Sequence, residues 1–238
     1  RRLHTAWESA PGRWSAWGEP SPSDPAVVEV HALRDHAGLQ WVLALDDAGG
    51  VHAITQTAPD GGWGSWTALG WPAPVTVATL AVSANADGRL QLFAVGGGTD
   101  VTGGTDGCGT TGDGGDDGGL YTLYQQADGS WSSWAPLVAP ATAVPLTSVV
   151  AVAGGSGTLT VAGVGTDGTV HAITQATPDG GWESWAALGA PAGTGAAPLV
   201  AAPGPDGPTL VEGAWVASAG AAGWGAWQPV PGPAPLSL

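Results

Sequence analysis

The chain has 238 residues, 14 of them tryptophan against 1 phenylalanine and 2 tyrosines, and a formal charge of −15 from 20 acidic residues, five arginines and no lysine. Such a charge repels phosphate backbones and anionic lipid heads, so it argues against nucleic acid and membrane surfaces as partners. The 41 glycines and 20 prolines exclude a mainly helical protein, while 43% hydrophobic residues in regular runs argue against disorder.

The single cysteine, Cys108, permits no disulfide within the chain and no cysteine-built metal site. No stretch approaches the ~20 apolar residues that span a bilayer, so no membrane insertion is expected. A start at Arg1 without a signal-like apolar run suggests a mature or excised domain whose export signal has gone. Secretion fits the acidic surface.

In chain order, the elements recur. Leu3–Gly18 reads as a hairpin ending in Trp14 and Trp17. Apolar runs at Val27–Leu33 and Gln40–Leu45 lead into Val51–Gly70, which holds Trp63 and Trp66. Runs at Val77–Val82 and Leu90–Val95 precede a looser copy at Leu120–Leu137, with Trp131 and Trp134. Val149–Ala153 and Leu159–Val164 precede Val170–Gly189, a near-identical copy of 51–70 with Trp182 and Trp185. Leu199–Ala202 leads to a degenerate copy at about Trp215–Val230, with Trp224 and Trp227. The first tryptophans of the W-x-x-W pairs are 49, 68, 51 and 42 positions apart. The long interval contains a Gly/Asp/Thr insertion at Thr99–Gly119; without it the spacing returns to about 50.

These runs are short, rich in Val and Leu, and bounded by Gly, Asp or Pro, as strands joined by tight turns are. Asp87-Gly88, Asp128-Gly129 and Asp167-Gly168 are hairpin signals. No run keeps a 3.6-residue period. Each repeat therefore holds four strands, A to D; in the second repeat these are about 26–33, 39–46, 51–57 and 63–69. The prediction is an all-β, single-domain β-propeller of about five four-stranded antiparallel blades. A half-blade at 1–20 precedes blades at about 21–73, 75–139, 141–190 and 193–230, and a tail at 231–238 closes the ring by adding an inner strand. The rival reading is a piece of a larger ring.

In such a blade the A–B and C–D turns share one end, and Trp63 and its equivalents open strand D there. Trp66 is three residues on, an odd offset that predicts the opposite face of the sheet. One tryptophan of each pair then packs between blades while the other faces a groove. An indole plane suits the apolar C–H face of a pyranose, and its N–H gives one directed hydrogen bond. Strand C adds His52, His171, Tyr121, His4 and Trp215 at one position, with Gln56, Gln175, Gln125 and Glu8 four residues on, on the same face. These polar residues supply sugar contacts or satisfy a neighbouring turn. The candidate sugar-binding residues are Trp63, Trp66, His52 and Gln56; Trp182, Trp185, His171 and Gln175; Trp131, Trp134, Tyr121 and Gln125; and Trp14 and Trp17. Pro59-Asp60 and Pro178-Asp179 are read as turn formers. The copy at 215–230 lacks the strand-C glutamine and the Pro-Asp-Gly turn, so its pocket is expected to be weak or empty. The acidic insertion, with Asp100, Asp106, Asp113, Asp116 and Asp117, lacks the calcium-loop pattern and is read as a solvated loop. No metal or cofactor is expected.

The pattern V/L-H/Y-x-x-x-Q followed by T-x-P-x-G-G-W-x-x-W-x-x-L-G resembles the PLL-like family of bacterial β-propeller lectins, and more distantly the tachylectin and tectonin propellers. The resemblance covers nearly the whole chain and is strongest at 51–70 and 170–189. It implies non-catalytic binding of fucose and related, often O-methylated, sugars in pockets between blades. Seven blades are usual in that type, whereas about five fit here. There is no G-x-S-x-G elbow, H-E-x-x-H or P-loop. Repeated aspartates in turns do not face one another as glycosidase carboxylates do, and five scattered arginines suggest no sialidase cluster. The expectation is not an enzyme but a multivalent lectin module for cell-surface glycans. It would act alone, as the targeting domain of a secreted toxin or hydrolase, or within a larger secreted complex. The alternative is a structural or protein-interaction propeller.

Overall fold

The computed structural model describes residues 2–21, 25–71, 76–97, 119–137, 144–192, 197–204, 206–220 and 223–230. Their regular structure is entirely β. A hairpin of β1 (Glu8–Ala10) and β2 (Arg13–Trp14) comes first. The first full sheet is β3 (Val27–Arg34), β4 (Gln40–Asp46), β5 (Val51–Thr55) and β6 (Thr67–Ala68). The second is β7 (Thr76–Ala84), β8 (Leu90–Gly97), β9 (Leu120–Tyr124) and β10 (Ala135–Pro136). The third is β11 (Leu146–Ala153), β12 (Leu159–Gly165), β13 (Val170–Thr174) and β14 (Ala186–Gly189). In the fourth, β15 (Leu199–Ala202), β16 (Thr209–Glu212) and β17 (Trp215–Gly220) are followed by β18 (Gly223–Trp224) and β19 (Gln228–Pro229), both paired to β17. Each sheet is an antiparallel meander in chain order.

The first strands of successive sheets are neighbours: β3 packs beside β7, β7 beside β11, and β11 beside β15. Glu29 on β3 accepts from the backbone N–H of Leu80 on β7 at 3.3 Å. Three apolar clusters fill the spaces between sheets. Leu43, Leu45 and Val51 meet Leu80, Leu92 and Leu123. Phe93, Val95 and Leu120 meet Val149, Leu159, Val161 and Ile173. Ala162, Val170 and Ala172 meet Leu199 and Leu210. Consecutive residues thus serve different interfaces: Leu92 packs backward on the first sheet, Phe93 forward on the third. A middle sheet is covered on both faces, which is why β8 and β12 are buried along nearly their whole length rather than at alternate residues.

The A–B turns stack as well. Gly88 has φ 78°, and a Cβ there would lie 2.7 Å from the Cβ of His36 in the preceding sheet. The N–H of His36 donates to the Gly88 carbonyl at 3.0 Å. Asp-Gly at this turn therefore answers two demands, a left-handed backbone and a close approach.

The sheets do not close into a ring among the described residues. Val28 and Val30 on β3 and Val200 on β15 are exposed, on the outward faces of the first and last sheets. The expected closing strand falls on residues 231–238, which lie outside the described residues, as does the acidic insertion Thr99–Gly119 with Cys108 except for Gly119.

Candidate functional site

Strand D begins with a single backbone pairing in three repeats: Gln56 with Trp63, Gln125 with Trp131, and Gln175 with Trp182. The chain then leaves the ladder and re-enters at Thr67, Ala135 and Ala186. Without a continuous strand the odd-offset rule has no hold, and the two tryptophans do not part to opposite faces. Trp131 and Trp134 both pack against the first inter-sheet cluster, Trp182 and Trp185 against the second, Trp224 and Trp227 against the third. Trp131 meets Trp41 edge to face, with centroids 5.6 Å apart at 85°. Trp182 meets Phe93 at 5.7 Å and 88°. Trp134 lies 5.0 Å from Trp71, and its Nε1–H donates to the Gly70 carbonyl at 2.9 Å. Each pair thus leans on the preceding sheet while staying half-buried, as Trp63 and Trp66 are. On the initial hairpin, Trp14 and Trp17 are 67% and 74% exposed.

The strand-C glutamines are buried. The Oε1 of Gln175 accepts from the Leu159 N–H at 2.8 Å, and its Nε2–H donates to Asn85 of the preceding A–B turn at 3.2 Å. Gln56 accepts from the Gln40 N–H at 3.1 Å and donates to the Gly61 carbonyl at 3.2 Å. Gln125 accepts from the Leu90 N–H at 3.3 Å. In all three the acceptor end satisfies the first N–H of strand B. Replacing Gln175 by leucine is therefore expected to lower folding stability by about 1–3 kcal/mol, because a buried donor is left unpaired. Urea denaturation checks this; an unchanged midpoint would mean that the side chain serves a ligand instead.

The histidines differ between copies. The Nε2 of His52 lies 2.7 Å from Asp46. Burial alone would raise the Asp46 pKa, but hydrogen bonds from His52, Gly50 and Ala48 outweigh it and hold the carboxyl below its ordinary value. His171 is buried, and its Nε2 has no partner among the described residues. Tyr121 packs on Trp71 with centroids 5.3 Å apart. His4 is exposed and Trp215 half-buried. Glu8 accepts from the Gly12 N–H at 2.6 Å. Asp60 and Asp179 adopt φ 56° and 55°, the left-handed geometry of turn formers.

A groove of about 460 Å³ opens between the third and fourth sheets. Thr174, Glu183 and Ser184 line it on one side and Trp224 on the other, with Gly223 and Gly225 flanking the indole. That volume lies within the ~300–1,000 Å³ of small-molecule sites. Trp224 belongs to the copy expected to have the weakest pocket. The groove forms there because the degenerate copy contributes only the tryptophan wall; the opposite side comes from the intact copy at 170–189.

One backbone hydrogen bond fixes the equivalent positions elsewhere. Glu183 N–H donates to Thr174 at 2.9 Å, Gly64 to Thr55 at 2.8 Å, Ser132 to Tyr124 at 2.9 Å and Ser15 to Trp7 at 2.8 Å. Trp7 and Tyr124, 62% and 46% exposed, thus occupy the position that Thr174 holds in the groove. The sequence reading missed both. They stand immediately before Glu8 and Gln125, so they point to the face opposite the residues that were followed, and that parity was the available signal. No group of three or more His, Cys, Asp or Glu suited to a metal occurs among the described residues.

No family model matches the chain, and no curated protein matches it in sequence. The structure of AofleA from Arthrobotrys oligospora aligns with a TM-score of 0.54 at 15% identity, covering 92% of this chain and 62% of that one. Trypanosoma rangeli sialidase aligns at 0.51 and 12% identity, covering 96% and 41%. The fold is all-β and propeller-like. The chain spans less than two thirds of the length of either protein. Aleuria aurantia lectin AAL, in complex with Fucalpha1-6GlcNAc, covers 97% of this chain and 93% of that one at 12% identity, but its TM-score of 0.33 is too low to argue from.

The sialidase likeness corrects one expectation. The sequence reading held that the chain is not an enzyme, yet this fold is one that a hydrolase uses. Missing nucleophile-elbow, zinc and P-loop motifs exclude those chemistries alone. Glycoside hydrolysis needs carboxylates brought together by the fold, and these leave no local motif.

Proposed function

We propose that the chain binds carbohydrate in grooves between consecutive blades, each walled by the first tryptophan of the following W-x-x-W pair. The observation that carries this is the groove at Trp224, where an indole stands across from the hydroxyls of Thr174 and Ser184 and the carboxyl of Glu183. Apolar ring faces and hydroxyl edges are the two surfaces a pyranose offers, and this groove has a counterpart for each. Trp63, Trp131 and Trp182 hold the position of Trp224 in the other repeats, and Trp7 and Tyr124 bring an aromatic to the position of Thr174. The strand-C glutamines satisfy the first N–H of strand B rather than face a ligand.

The finer reading is a secreted, multivalent lectin for fucose-like or O-methylated sugars on cell surfaces, in a ring completed by the half-blade at 1–20 and the tail at 231–238. The near-identity of 51–70 and 170–189 supports repeated sites. Shallow, wet grooves bury little area, so dissociation constants near ~0.1–1 mM per site are expected. A glycan array followed by tryptophan-fluorescence titration tests the proposal. A saturable emission change with an array-positive sugar supports it. Silence on the array and in titration, with a folded protein, overturns it.

A further inference from the structure

We infer that the groove between the third and fourth blades prefers saccharides carrying a protonated amine, such as hexosamines with a free amino group, over neutral and acidic sugars. This rests on the carbohydrate-binding reading of that groove and adds its ligand class. The deciding residue is Glu183. At the equivalent position the other repeats carry Gly64, Ser132, Ser15 and Gly225, so of the five only this one has a carboxyl there.

No cationic residue lines the groove among the described residues. Arg2 pairs with Glu19 at 2.9 Å, Arg34 lies 3.7 Å from Asp60, and Arg89 pairs with Asp87. Glu183 takes part in no ion pair among the described residues. The indole of Trp224 offers a second feature suited to an ammonium group, since a cation over an aromatic face is attracted by the ring quadrupole. The chain's charge of −15 adds a field that draws cations and repels uronic and sialic acids. Thr174 and Ser184 supply hydroxyls for the remaining sugar edge. A neutral acetamide in place of the amine keeps the ring face and hydroxyls but loses the charge partner.

Calorimetry with glucosamine, N-acetylglucosamine and glucuronate at pH 6, in low and high salt, reads this directly. The expected result is one site per chain that binds glucosamine about two- to fivefold tighter than N-acetylglucosamine, within the range for an exposed ion pair, with glucuronate weakest. High salt should narrow the ratio. Glu183→Gln should bring the glucosamine to N-acetylglucosamine ratio close to one. Equal affinities in the native protein, or a ratio that survives in Glu183→Gln, would overturn the preference while leaving carbohydrate binding intact. Failure of all three sugars, and of array-positive neutral glycans, would overturn the carbohydrate reading itself.

Discussion

Replacing Phe93 by alanine is expected to cost about 3–5 kcal/mol of folding stability. Phe93 is fully buried on the forward face of β8. It reaches across the gap between the second and third sheets to meet Val149, Leu159, Val161 and Ile173, with its ring edge-on to Trp182. No small shift fills the space, because both sheets are pinned by their own ladders. Domains of this size are stable by only ~5–15 kcal/mol, so the loss takes a large share of the total. Urea denaturation followed by far-ultraviolet circular dichroism measures it. A loss under about 1 kcal/mol would mean that the sheets do not share this core. Tryptophan emission should shift in the same variant, because Trp182 loses its packing partner.

Replacing Trp224 by alanine is expected to remove sugar binding from one groove. Trp224 is the aromatic wall there, and no other aromatic residue lines it among the described residues. Alanine leaves hydroxyls and a carboxyl without the apolar face that a pyranose ring needs, so affinity at that site should fall at least about fivefold; base–aromatic stacking, a comparable planar contact, is worth ~1–3 kcal/mol. Free-sugar calorimetry should give a stoichiometry lower by about one site per chain, with the affinity of the remaining sites retained. Binding to a densely glycosylated surface should drop more steeply, because avidity grows with the number of engaged sites. Circular dichroism must accompany the measurement, since Trp224 also packs on the third inter-sheet cluster. Complete loss of sugar binding by a folded variant would mean one site for the whole chain, and the repeated-groove mechanism would fail.

Local features were legible in the sequence because they depend on a few adjacent residues. The Asp-Gly turns end in left-handed glycines at Gly88, Gly129 and Gly168. The strand-C segments 51–55 and 170–174 are strands, as expected of short runs bounded by turn residues. The direction of Trp66 and its equivalents was not legible, because alternation assumes a continuous ladder and the ladder breaks between Trp63 and Thr67. The role of Gln175 turns on an N–H at Leu159 and an amide at Asn85, sixteen and ninety positions away, which no local pattern encodes. The groove at Trp224 joins an intact copy to a degenerate one, so scoring each copy alone ranked it last. Enzymatic capacity is not legible from absent local motifs or from the scatter of aspartates and arginines along the chain, because a propeller-like fold builds sites from several blades.

The most direct test of the account is a crystal structure of the protein with a saccharide selected on the array. The account predicts a sugar ring stacked on Trp224, with its hydroxyls within hydrogen-bond reach of Thr174, Glu183 and Ser184. A saccharide bound only outside the inter-blade grooves, with that groove empty at saturating concentration, would contradict it.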